Sequence, residues 1–354
     1  MNKKQFIISA LVLALLLALV YLQVRTWRKF DWLSFAAATK NIHWHWIFVG
    51  VALIYGDYLL RAMRWKVLLR PVKQTTSFRL LPPTMIGFTG LALFGRPGEL
   101  IRPYLIARKE GLTMSSQMAV WLVERIFDMG AFAMIMAVSI LVSADNLHKL
   151  DESHHTRYFL TFELAGSLLL SVVVAMTLFA FRIRRDPAAA AITIERILAP
   201  FSPRVARAIA QRVHTFGEGL HTIANLKSFL QLASLSVVIW LVIGITYLIV
   251  THAFPQLSDM TLPSVLLLTA GSVVGGVLQL PVVGGGSQLA TISILIAVFG
   301  VEAGVATSCG IMLWLVTFMS VVPGGLFLAH REHVSLTKVE EESIEEEEKF
   351  EEIG

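Results

Sequence analysis

Three charges fall within five residues of an otherwise apolar run in "WLVERIFDMG" (121–130): Glu124, Arg125 and Asp128. On a helix, Glu124 and Asp128 share a face, and Arg125 is turned from Glu124 by about 100°. A charge near a bilayer centre costs at least ~2.5–3.5 kcal/mol, so such a trio needs partners or water. Two carboxylates at this spacing can also share a proton and titrate as a pair. The alternative is a structural ion cluster that knits helices together.

A second group lies in "LALFGRPGELIRPYLIARKEG" (91–111), where apolar sequence runs into glycines, prolines, a glutamate and arginines. Gly95 and Gly98 permit a tight turn, and Pro97 and Pro103 oppose a continuous helix. Backbone broken at membrane depth survives only where protein buries it or water reaches it. Glu99 and Arg102 are three apart and can pair across one helical face. Arg96 and Arg102, with Arg125, can offer guanidinium forks to a phosphate, which arginine binds bidentately. An ordinary turn with snorkelling arginines is the plainer alternative.

A third group is Asp57 and Arg61 in "YGDYLLRAMRWKVLLRP", a favourable i,i+4 pair. Arg64, Lys66 and Arg70 after it read as interfacial residues at the end of the helix. A fourth is "QLPVVGGGSQ" (279–288), where Gly284, Gly285 and Gly286 permit a second break and Gln288 follows it. Other patterns carry less. "HWHW" (43–46) reads as an aromatic belt rather than a metal site. His154 and His155 sit in a polar loop without ligating neighbours, so no metal and no cofactor are expected. The three glycines are not followed by Lys-Ser/Thr, and no Gly-x-Ser-x-Gly or His-Glu-x-x-His pattern occurs. An enzyme is therefore not expected.

The elements that must position these groups are membrane helices. Of 354 residues, 55% are hydrophobic and only 16% charged, well below the roughly 25% charged of soluble domains. The one cysteine, Cys309, excludes an intramolecular disulfide and a thiolate cluster. From Lys338 onward nine glutamates and two lysines give −7, so residues 1–337 carry +12 of the net +5. In such a protein this excess marks the cytoplasmic face and not nucleic-acid binding.

Apolar runs at 6–24, 44–62, 118–143, 158–181, 229–253 and 304–329 each approach or exceed the ~20 residues that span ~30 Å of hydrocarbon. The first reads as a retained helix, since no small-x-small cleavage site follows it. Stretches 79–95 and 263–300 are broken. If both return to the side they enter from, 22 Lys and Arg lie inside and 6 outside, with both termini cytoplasmic in the inner membrane. The fold expected is all-α: about six spanning helices and two broken or re-entrant hairpins.

A first half (44–143) and a second half (229–329) then repeat one order of helix, hairpin and helix. They align at a constant offset of 189, which carries Gly111-Leu112 onto Gly300-Val301. Inverted repeats of broken helices build transporter sites near the midplane. Between the halves, 182–228 is a basic connector with Val205, Ile209, Val213, Phe216, Leu220 and Ile223 at helical spacing, suited to lying on the inner leaflet. A plain connector is equally compatible. Residues 1–337 form the membrane domain, and 338–354 an acidic cytoplasmic tail.

"GRPGELIRPYLIARKEGL", followed by "VERIFD", resembles the signature of the lysylphosphatidylglycerol synthase transmembrane-domain family, the flippase-like membrane proteins. The similarity covers about residues 44–330. It implies an integral membrane protein that moves lipids between leaflets. The soluble aminoacyl-transferase domain of two-domain members is not seen, so synthase activity is not carried over. Glu99 and Arg102 match the family's Gly-Glu-x-x-Arg element, and Glu124, Arg125 and Asp128 its Glu-Arg-x-x-Asp helix. The second half departs from the pattern: neutral Gln288 falls opposite Glu99, and Trp314 opposite Arg125. The reading is lipid movement, with membrane lipids of anionic headgroup as ligands. A lipid-presenting partner of another membrane protein and a lipid-modifying enzyme are the alternatives.

Overall fold

The computed structural model describes residues 32–147, 186–198, 226–276, 285–332 and 334, with the isolated positions Ser167, Ser171 and Leu178. Every regular element among them is helical, as the composition implies. The expected span at 6–24, most of that at 158–181, the amphipathic stretch 205–223, Gly284 and the acidic tail lie outside the described residues.

The first half opens with a short helix α1 (Trp32–Lys40) and the apolar helix α2 (Trp44–Leu69). At 1.5 Å per residue, the 26 residues of α2 reach about 39 Å, enough for hydrocarbon plus an interface. Helix α3 (Ser77–Phe94) is capped by Thr76, whose hydroxyl accepts from the Arg79 N–H. It runs unbroken past Pro82 and Pro83. It stops instead at Gly95, whose φ of 73° a side chain would resist. A 3₁₀ turn (Arg96–Leu100) follows, with Pro97 at its start. A Cβ on Gly98 would strike the Gly90 carbonyl, so this turn lies against the backbone of α3. Helix α4 (Ile101–Glu110) then begins, with Pro103 in its first turn, where no N–H is needed. The expected break is therefore present, set by Gly95 and Gly98.

Helix α5 (Met114–Leu147) is the longest described, at 34 residues, and carries the charged trio two to four turns from its start. After α6 (Pro187–Leu198), the second half repeats the order: α7 (Leu226–His252), α8 (Leu262–Gly275), α9 (Gly285–Ala297), and a last helix in two pieces. These pieces are α10 (Ala303–Trp314) and α11 (Val321–Arg331), joined through a wider π segment at Leu315–Met319. Helix α4 is closed by Gly111 at φ 67°, and the turn after α9 holds Gly300 at φ 64°. Three residues beyond these glycines begin α5 and α10, at Met114 and Ala303. The offset of 189 therefore holds in the backbone.

Three described helices are long and apolar enough to cross a membrane: Trp44–Leu69, Lys227–His252 and Ala303–Arg331. Leu262–Gly275 and Gly285–Ala297 are shorter apolar helices. Helix α2 packs on α7, α3 on α11, α8 on α9, and α5 on both α7 and α8. One apolar core joins Ile54, Tyr58, Val250, Phe254, Leu268, Cys309 and Val316 across the two halves. A second joins Trp65, Leu68, Leu80, Ile106, Val123 and Leu232, and it walls the charged site.

Candidate functional site

The charged site is made by α2, α4, α5 and α7. Its centre is Glu124, fully buried. Arg102 from α4 forks onto it: Nη1 donates to Oε1 at 3.1 Å and Nη2 to Oε2. Arg64 from α2, also fully buried, donates from Nη2 to Glu124 Oε1 at 2.6 Å and from Nη1 to Asp128 Oδ1. Its Nη1 donates again to the Ser236 hydroxyl of α7 at 2.8 Å. Arg64 thus stands between the two carboxylates and ties three helices together. Arg125 approaches Asp128 Oδ2 at 3.0 Å and Glu124 Oε2 at 3.5 Å.

The aromatic residues complete the frame. The Arg102 guanidinium lies over the Trp65 ring at 4.4 Å and the Phe88 ring at 5.2 Å. Trp65 is held in turn by its indole N–H, which donates to Gln117 Oε1 at 3.1 Å. A Cβ on Gly87 would collide with the Cβ of Arg102, so only glycine lets α3 come this close. One helical turn away on α2, Arg61 donates to Asp57 at 2.6 Å and lies over Phe88 at 4.9 Å. The other Asp57 oxygen, Oδ1, is buried with no partner.

Two expectations are corrected by this geometry. Arg64 is not an interfacial residue; it is buried at the centre of the cluster, because a guanidinium bonded to two carboxylates no longer needs water. The carboxylate that orients Arg102 is Glu124 on α5, not Glu99 one turn back on its own segment. A short 3₁₀-to-α junction swings Arg102 inward, whereas Glu99 remains at the wall of the cavity beside it. The spacing did contain a signal for Arg64: it lies seven residues after Asp57, on the same face of α2. Ser236, Trp65 and Phe88 have no comparable signal in an apolar sequence.

That cavity is lined by Gly87, Phe88, Leu91, Glu99, Arg102, Trp121 and Arg125. Its free volume is about 20 Å³, room for about one water. Arg125 is the part of the cluster that opens outward, with its side chain 33% exposed over the Trp121 ring. In the deep cluster, Arg64, Arg102 and Arg125 face Glu124 and Asp128, three cations against two anions, and Glu99 supplies a carboxylate at the mouth. Of the other expected site residues, Arg96 and Pro97 belong to the 3₁₀ turn, and the side chain of Arg96 lies outside the described residues. Gly285 and Gly286 open α9, and Gln288 lies on its first turn, in a separate cavity.

An arrangement of this kind can bind an anion by exchange. Arg102 and Arg125 already hold carboxylate oxygens, and a phosphate presents oxygens at similar spacing. No curated protein and no solved structure matches the chain. The profile of one family, described as the lysylphosphatidylglycerol synthase TM region, covers residues 6–325, so the charged helices and nearly all of the second half fall within it, and the chain belongs to that family.

Proposed function

We propose that the protein moves a lipid with a polar, phosphate-bearing headgroup across the membrane, in the manner of a flippase. The observation that carries this reading is the buried arginine cluster with two guanidinium groups, those of Arg102 and Arg125, lining a cavity, and that of Arg125 partly exposed. A cluster that served only to join helices would gain nothing from leaving one cation half in the open. Family membership supports a lipid-related role in the membrane.

In this reading the headgroup phosphate meets Arg125 first, then takes the fork of Arg102 while Glu124 falls back on Arg64. The space of about 20 Å³ is too small for a phosphate, so Trp121 and Arg125 swing aside on entry. The first broken hairpin is re-entrant from the cytoplasmic side, which puts residues 96–109 and both termini in the cytoplasm of a cell-membrane protein; the second, 263–300, gives the same sidedness whether it is re-entrant or a pair of short spanning helices. The basic excess of 22 to 6 supports that orientation. The chain acts as a transporter and not as an enzyme, and movement is downhill or coupled to an ion gradient.

The test is a chain purified alone and reconstituted in liposomes carrying a fluorescent phospholipid. Arg102→Lys keeps the charge but loses the fork, so translocation falls several-fold. Arg70→Lys, on an exposed residue bonded to Gln231, behaves as wild type. Translocation unchanged in Arg102→Lys, or absent from wild type, sinks the reading and favours a partner that presents lipid to another protein.

A further inference from the structure

The offset of 189 does more than align helix ends. It carries Gly87, Glu99, Arg102, Trp121 and Arg125, five of the residues lining the charged cavity, onto Gly276, Gln288, Thr291, Gly310 and Trp314. All five of those residues line one cavity in the second half. The two carboxylates behind the first wall, Glu124 and Asp128, map onto Leu313 and Thr317, which line it too. The second cavity is therefore the counterpart of the charged site, with each charge replaced by a neutral group.

Its chemistry is correspondingly different. Among the described lining residues there is no Asp, Glu, Lys or Arg. Hydroxyls of Tyr247, Ser272, Ser287, Thr291 and Thr317, the Gln288 amide and the Trp314 indole, whose buried N–H has no partner, make up the polar surface. Tyr247 and Ser272 bond each other at 2.9 Å, and Thr291 donates to the Ser287 carbonyl at 2.8 Å. Gly310 stands where the charged site has Trp121, and the free volume is about 200 Å³ against about 20 Å³. An ion entering this cavity would meet no counter-charge among these residues, a penalty of several kcal/mol in such surroundings. A polyol or sugar, in contrast, can both donate to and accept from hydroxyls and an amide.

We infer that the second-half cavity binds an uncharged, polyhydroxylated group, with Gln288 and Thr291 as its principal hydrogen-bonding residues. The inference concerns binding and goes beyond the transport reading. The probe is a monoglucosyl diacylglycerol, compared with diacylglycerol lacking the sugar and with phosphatidylserine, each offered to the full chain in lipid nanodiscs. Retention is read by native mass spectrometry. Wild type retains the glucosyl lipid over plain diacylglycerol. Gln288→Leu with Thr291→Val lowers that retention about tenfold, the loss of two ordinary hydrogen bonds. Thr291→Val alone is nearly isosteric, so it keeps the shape and gives a partial loss even if the double variant fails to fold. Free methyl glucoside displaces the lipid where the sugar alone is read, and leaves it bound where acyl chains are also needed; these outcomes assign the source of the hydroxyls. Equal retention of glucosyl and plain diacylglycerol, no change in Thr291→Val, or a loss confined to phosphatidylserine overturns the inference. Retention is read without transport, so a chain that moves no lipid still answers the question.

Discussion

Arg64→Met is the most informative single change, because two readings of one residue predict opposite results. At an interface, an arginine reaching to water contributes through its stem, which methionine largely replaces, and the change stays within about 0.5 kcal/mol. In the structure, Arg64 is fully buried and bonds Glu124, Asp128 and Ser236 at once. Removing it takes one of the cations from Glu124 and leaves Asp128 with Arg125 alone, whose side chain is 33% exposed. Breaking a buried pair by deleting one partner costs about 3–5 kcal/mol, mostly from the charge left behind. The upper part of that range applies here, since two carboxylates lose a donor. The assay is urea unfolding of purified protein in detergent, with Arg70→Met as the exposed comparison. Adding Asp128→Leu to Arg64→Met removes the stranded charge and restores part of the loss. A single variant as stable as Arg70→Met, or a double variant less stable than the single, refutes the buried cluster.

Further outcomes follow from the same geometry. Trp121→Ala opens the cavity of about 20 Å³ beside Arg125, so uptake of a fluorescent phospholipid in liposomes rises or is unchanged, and a collapse of uptake argues that the ring itself holds the ligand. Gly98→Ala drives a Cβ into the Gly90 carbonyl and lowers folded yield severely, whereas Gly111→Ala meets open space and costs only the about 1–2 kcal/mol of a left-handed residue; equal yields would put the two hairpin arms further apart. Asp57→Asn keeps an acceptor for Arg61 and removes a charge whose Oδ1 has no partner, so stability changes by less than in Arg64→Met, and a larger loss in thermal melts shows that Asp57 holds more of the cluster than its i,i+4 pair with Arg61.

Much of the fold was legible because its signals are local. A run of some 20 apolar residues admits one structure in lipid, and a Gly-x-Pro-Gly sequence in such a run has to be a break. Even so, the prolines misdirect attention: Pro82 and Pro83 lie inside α3, and the helix ends at Gly95, where φ becomes positive. The site was legible only in its membership. Glu124, Arg125 and Asp128 stand out because charge is costly there. Their partners are decided by packing over long sequence separations: Arg64 lies 60 residues from Glu124, and Ser236 a further 112 beyond it. Proximity in sequence favoured Glu99 for Arg102. Close contact of α4 with Gly87 turned the guanidinium toward α5 instead.

The two halves differ in charge in a way that buried electrostatics explains. Under the offset of 189, Arg102 and its partner Glu124 become Thr291 and Leu313; Asp57 and Arg61 become Thr246 and Val250; Arg64 becomes Ala253 and Asp128 becomes Thr317. Cation and anion are absent together in each case. Retaining either alone would strand a charge in the core, at about 3–5 kcal/mol, so a neutral half has to lose whole pairs. What replaces them is short: Thr291 for Arg102 and Gly310 for Trp121 leave space, only partly refilled by Trp314 in place of Arg125. The neutral half is accordingly the roomier one. Under the proposed function, a lipid phosphate would then suit the charged cavity and an uncharged polyhydroxylated group the neutral one.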